Sequence, residues 1–213
     1  MREASPFVRF LIPVLLLVLT SGQPAAVVAQ DDIGEPVTVS VSLYIVDEAG
    51  DPPTPELSSR RDTESLEQVL ERMQTIWDQA DIELEVATVT RIKVPAEALG
   101  GLSRGDTSAF LNGLIDGSIE VPNPGVINGF YVRSLGRING LTPLGTRLYF
   151  VTDEPSVHDE RVSSHEIGHI LGLHHETSDS DRLMFSGTNG MELADMEVVT
   201  ARYVAQGILD GLR

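Results

Sequence analysis

All five histidines of this 213-residue chain, His158, His165, His169, His174 and His175, fall within 18 consecutive positions. The run His165-Glu166-Ile167-Gly168-His169-Ile170-Leu171-Gly172-Leu173-His174-His175 satisfies the spacing H-E-x-x-H-x-x-G-x-x-H. For a chain of this composition such a match arises by chance on the order of 10⁻⁵ times. Two histidines four apart on a helix lie one turn apart on the same face, so both rings can point a nitrogen at one metal ion. Glu166 follows His165 about 100° around the axis, which sets a carboxylate beside the ion without making it a ligand.

A third histidine six residues after His169 would lie about 9 Å further along a continuous helix, too far for a bond of about 2 Å. The helix must therefore stop and the chain turn back. Gly172 can do this, because glycine enters left-handed backbone conformations without a side-chain clash. His175 then reaches the ion, although the neighbouring His174 could replace it on such a turn. Three neutral imidazoles leave a fourth position for water, the layout of a catalytic Zn²⁺ site. Zinc lowers the pKa of bound water towards about 7, so Glu166 would act as the base that takes its proton during attack on a peptide carbonyl. His158, seven residues before His165 on the same expected helix, is read as partly buried and not as a ligand. Asp179 and Asp181 are candidates to accept a ligand N–H, or are solvated loop residues. Arg104-Gly105-Asp106 is read as a loop and helix cap and not as an adhesion motif.

These side chains need a scaffold, and the chain around them alternates strands and helices. Val37, Val39, Val41, Leu43 and Ile45 have the period of a strand with one buried face. From Thr63 to Ala80 the stripe Leu66, Val69, Leu70, Met73, Ile76 and Trp77 has helical spacing, and Ile82, Leu84 and Val86 alternate again. Such a strand–helix–strand unit makes its two strands parallel. A short helix capped by Asp106 is expected to run to Ile115, strands at 126–132 and 147–151, the metal-binding helix from a Ser156 cap, and a last helix over about 193–209. The segment Ile138 to Leu144 is expected to be an exposed edge strand beside the cleft, where an extended substrate can pair its backbone. The fold class is α/β or α+β, built on a mixed, mostly parallel twisted sheet.

The extended histidine motif, followed nine residues after His175 by Met184, resembles the metzincin clan of zinc endopeptidases. The run H-E-I-G-H-x-L-G-L is closer to matrixins or pappalysins; Ser186 stands where astacins and serralysins place a tyrosine. The resemblance covers most of residues 30–213, with its specific part at His165–Met184. It implies one catalytic zinc on His165, His169 and His175, Glu166 as catalytic base, Met184 in a turn beneath the metal, and a protein or peptide substrate. With no cysteine, latency through a cysteine switch is excluded. The rival expectation is a catalytically silent zinc-containing binding module on the same scaffold, which would have no need of Glu166.

Arg2 and Arg9, the apolar run Phe10 to Leu19 and a small-residue stretch ending at Ala29 have the order of a secretory signal peptide over residues 1–29. Ten apolar residues span only about 15 Å as a helix, so no stable membrane anchor is expected. Residues 30–213 are then one exported catalytic domain, and freedom from cysteine fits a bacterial secretion route. The 32 acidic against 15 basic residues give a net charge of −17, which excludes a phosphate-backbone partner such as nucleic acid. The acidic surface could hold Ca²⁺ weakly, but no dedicated calcium loop is present.

Overall fold

The computed structural model describes residues 35–121, 123 and 125–211. The expected leader at 1–29 lies outside them. In chain order the elements are β1 (Val37–Glu48), α1 (Thr63–Trp77) with a 3-10 turn at Asp78–Ala80, β2 (Ile82–Val94), α2 (Ala96–Leu102), α3 (Ser108–Asp116), β3 (Ile127–Val132), β4 (Gly140–Leu141), β5 (Leu148–Thr152), α4 (Asp159–Ile170) and α5 (Asp195–Leu209). The strands form one sheet of order β2-β1-β3-β5-β4. Its first three pairings are parallel and only β4 runs antiparallel, to β5.

The sheet is covered on both faces. On one, Val37, Val39, Val41, Leu43 and Ile45 of β1 pack with the α1 stripe, with Val162 and Ile167 of α4, and with Ala201, Val204 and Ala205 of α5. On the other, Tyr44, Val46, Phe130 and Phe150 pack against Ala98, Leu99 and Leu102 of α2 and Phe110 of α3. Phe110, Phe130 and Phe150 lie 5.0–5.3 Å apart by ring centroid, pairings that add about 0.5–1.5 kcal/mol each beyond area burial. β1 thus buries both faces where its alternation predicts one, because α2, absent from the sequence reading, and α3 cover the face carrying Ser42 and Tyr44.

The cap of α1 is Asp62, whose Oδ1 accepts from Ser65 N at 2.8 Å. Two expected caps are displaced. The Oδ1 of Asp106 accepts from Ser108 N at 2.9 Å, but Thr107 occupies the cap position of α3. Ser156 does not cap α4; its N donates to Asn139 Oδ1 at 2.9 Å, tying the start of the edge segment to the loop before the helix. His158 holds the cap position itself, so it lies off the helical face of His165, with its side chain 59% exposed. The beginning of α4 is fixed by Arg61, whose Nη1 and Nη2 meet the two carboxylate oxygens of Asp159 at 2.8 and 3.0 Å. This paired fork is a strong, directional contact.

Candidate metal centre

Along α4, Arg161, His165 and His169 fall four apart, so their side chains share one face. The helix ends after Ile170, and Gly172 takes φ +84°. Gly172 N donates to His169 O at 3.1 Å and Leu173 N to Gly168 O at 2.8 Å, the paired bonds of a Schellman cap, in which a left-handed residue reverses the chain. A Cβ at Gly172 would lie 3.1 Å from Val204 Cγ2, so α5 packs closely on the turn. Glu176 N donates to Met184 O at 2.9 Å and anchors the segment that carries His175.

The result is convergence. One ring nitrogen each of His165, His169 and His175 lies within 4.8 Å of the others, and the Nε2 atoms of His169 and His175 are 3.1 Å apart. His174 is exposed and outside this group. The Nδ1 of His165 meets Leu183 O at 2.8 Å, and the Nδ1 of His169 meets Leu173 O at 3.0 Å. A carbonyl only accepts, so both Nδ1 atoms carry the proton and both Nε2 atoms keep a lone pair. Burial drives the His165 pKa down to about 3 and lowers that of His169, so both are neutral near pH 7. Neutral imidazoles with free Nε2 lone pairs, two of them at the separation expected for ligands about 2 Å from one tetrahedral ion, are the donor chemistry that zinc takes. The residues fit the metal.

Backbone carbonyls thus take the place expected of Asp179 and Asp181. Asp179 instead accepts from Asp181 N and faces Arg182 in its own loop. Arg161, unnoticed in the sequence, is buried under the centre. Its Nη2 donates to Leu183 O at 2.8 Å and also to Phe185 O, gripping the turn around Met184. Met184 is itself buried, and a Cβ at Gly168 would lie 2.7 Å from its sulfur. The helix and the methionine turn are therefore in direct contact.

Glu166, which follows His165 on α4, is buried and touches the sheet edge. The hydroxyl of Thr142 lies 2.8 Å from Glu166 Oε2 and 3.0 Å from the Glu166 carbonyl oxygen. At Gly140 a Cβ would fall 2.6 Å from Glu166 Oε1, so only a glycine leaves room for the carboxylate against β4. Burial pushes the Glu166 pKa up to about 7, while Thr142 and then Arg161 oppose the rise. A carboxyl poised near neutrality is suited to accept and return a proton at physiological pH. Of the expected edge segment from Ile138 to Leu144, Asn139 O accepts from Thr152 N at 2.9 Å, and Gly140 and Leu141 pair with β5. They form the outer edge of the sheet.

No protein-family model and no curated protein matches the chain. Solved structures do. An archaemetzincin from Methanopyrus kandleri superposes with a TM-score of 0.50 at 16% identity, over 82% of this chain and 97% of that one. This chain shares that fold. Metalloproteinase-II from Bacteroides fragilis matches with a TM-score of 0.50 at 18% identity, over 79% of this chain and 53% of that one. A chain from a chaperone–substrate complex matches at 0.52 and 14% identity, over 82% of this chain and 35% of that one. This chain thus spans about half and about a third of the length of the latter two. The likeness to these structures is one of fold, and the case for a metal rests on the donor geometry of the histidine triad.

Proposed function

We propose that the protein is an exported zinc-dependent endopeptidase that hydrolyses peptide bonds of protein or peptide substrates. The observation that carries this reading is the convergence of three imidazoles, two of them on the helix that also carries a buried carboxylate hydrogen-bonded to Thr142 at the edge of the sheet. His165, His169 and His175 would hold the ion. Zinc, when bound, supplies Lewis acidity, which makes water nucleophilic near neutral pH and polarises a carbonyl.

The rest is done by the chain's own groups. Leu183 O and Leu173 O fix the ring orientations of His165 and His169. Gly140, whose backbone groups face away from β5 between the bonded positions Asn139 and Leu141, offers them to an extended peptide, which places its scissile bond alongside Glu166. Glu166 takes a proton from water at its carboxylate and returns it to the nitrogen of the departing amine. Thr142 holds that carboxylate in place through Oε2. Export rests on the order of charge, apolar run and small residues over 1–29. Among the described residues no helix is long and apolar enough to cross a membrane.

The test uses purified protein, supplied with zinc, on casein and on a mixed peptide library. The expected result is internal cleavage that a chelator abolishes and that Glu166→Gln reduces by several orders of magnitude. A zinc-loaded, folded protein that cuts nothing would instead support a binding module. N-terminal sequencing of protein recovered from the medium tests the leader, with a new terminus at Gln30 expected.

A further inference from the structure

A cavity of about 390 Å³ opens beside His169, between the turn joining β4 to β5 and the helix α5. It is within the range of roughly 300–1,000 Å³ usual for ligand pockets. Its apolar walls are Leu173 at the end of the metal-binding loop and Val204 and Ile208 of α5, with Pro143 and Leu144 at the turn. Leu144 is 99% exposed at the rim. The cavity is continuous with the chemistry through Thr142, which lines it and also contacts Glu166.

Resting on the peptidase reading above, we infer that this cavity is a substrate pocket for one large aliphatic or aromatic side chain on the amino-terminal side of the cleaved bond. The direction follows from the sheet. β4 runs from Gly140 towards Thr142, so the cavity lies beyond its carboxyl end. A peptide added to the edge in the antiparallel sense, the pairing β4 already makes with β5, has its amino-terminal half beside residues 142–146. Backbone pairing is indifferent to side chains, so the preference comes from the pocket, as in other strand-addition sites. Burying a leucine side chain there in place of alanine favours binding by about tenfold or more.

The experiment has two arms. In the first, cut sites of the wild type, Val204→Phe and Ile208→Lys are mapped in a peptide library. The wild type is expected to enrich Leu, Ile, Met or Phe at one position before the cut; Val204→Phe should shift it to small residues and Ile208→Lys to acidic ones. The second arm needs no turnover. Zinc-loaded Glu166→Gln protein is titrated with N-acetylated, C-amidated decapeptides of Ala, Ser and Thr that carry a single Leu at successive positions, against the parent without Leu. One position of Leu should tighten binding about tenfold, and adding Ile208→Lys should remove the gain. If no Leu position changes affinity, or the gain survives Ile208→Lys, the pocket is overturned. A wild type that cuts nothing while the Leu effect persists overturns the peptidase reading alone.

Discussion

The guanidinium of Arg161 and the Nδ1 of His165 donate to one and the same acceptor, the carbonyl oxygen of Leu183, each at 2.8 Å. The helix α4 and the methionine turn are thereby joined through a buried charge, four residues before the first candidate ligand. Replacing Arg161 by Met keeps the apolar stem and leaves Phe185 O without this donor. The expected cost is about 1–3 kcal/mol of stability. Metal affinity should fall about tenfold to a hundredfold, as is typical when the groups that orient ligands are lost. Thermal unfolding of the metal-stripped protein and a chelator competition measure the two effects separately.

Among the described residues, Thr142 supplies the one hydroxyl hydrogen-bonded to the Glu166 side chain. Thr142→Val should lower kcat by about tenfold with little change in KM, and Thr142→Ser should restore most of it. Steady-state kinetics on a single peptide decide this. Because the Thr142 hydrogen bond lowers the Glu166 pKa, the acidic limb of the kcat profile should move to higher pH in the valine variant only.

Gly140→Ala tests how closely the strand approaches the carboxylate. The added methyl would meet both Glu166 Oε1 at 2.6 Å and Val162 Cγ1 at 2.8 Å, contacts that force either the helix or the edge strand to shift. Activity should drop by at least a hundredfold, since a 1 Å misplacement costs about that much, while the zinc content stays at one per chain. Unchanged activity would show that Glu166 has another working position.

Protonation of Glu166 links the site to stability. The unfolded carboxyl ionises near 4.5 and the buried one near 7, so the folded state keeps a proton that the unfolded state has lost between these values. Stability present below pH 4.5 therefore declines as pH rises through 7, by at most about 1.4 kcal/mol per pH unit. In metal-stripped protein, Glu166→Gln should melt above the wild type at pH 8 and lose most of that advantage at pH 5. His165 works in the opposite sense, since a pKa pushed down to about 3 makes stability rise with pH between 3 and 6.5. It is common to both proteins and cancels in the comparison.

The parts legible in the sequence are those encoded locally. Helical spacing marked the face of His165 and His169, and Gly172 marked the reversal, because a left-handed residue after a helix is most often glycine. The stripe from Leu66 to Trp77 and the alternation from Val37 to Ile45 fixed α1, β1 and their parallel partner β2 in the same way. Contacts made between distant segments left less trace. The carbonyls of Leu183 and Leu173 carry no side-chain signature, so the sequence left Asp179 and Asp181 open between acceptor and loop residue, and the structure places Asp179 in the loop. Thr142 meets Glu166 across 24 positions, and nothing in a single sequence pairs them. Arg161 did leave a signal in its position four residues before His165 on the same face. A cationic side chain on a helix face that is otherwise turned inward needs acceptors, and the methionine turn provides them. α2 was missed because Ala96–Leu102 holds two glycines, and its helix is stabilised by tertiary packing of Ala98, Leu99 and Leu102.

The account stands most directly on metal stoichiometry. Purified protein dialysed against trace zinc and analysed by elemental mass spectrometry is expected to retain one zinc per chain, and the His165→Ala, His169→Ala and His175→Ala variants are each expected to lose it while remaining folded by circular dichroism. A folded wild type that retains no zinc, or a triple variant that retains it undiminished, would contradict the account.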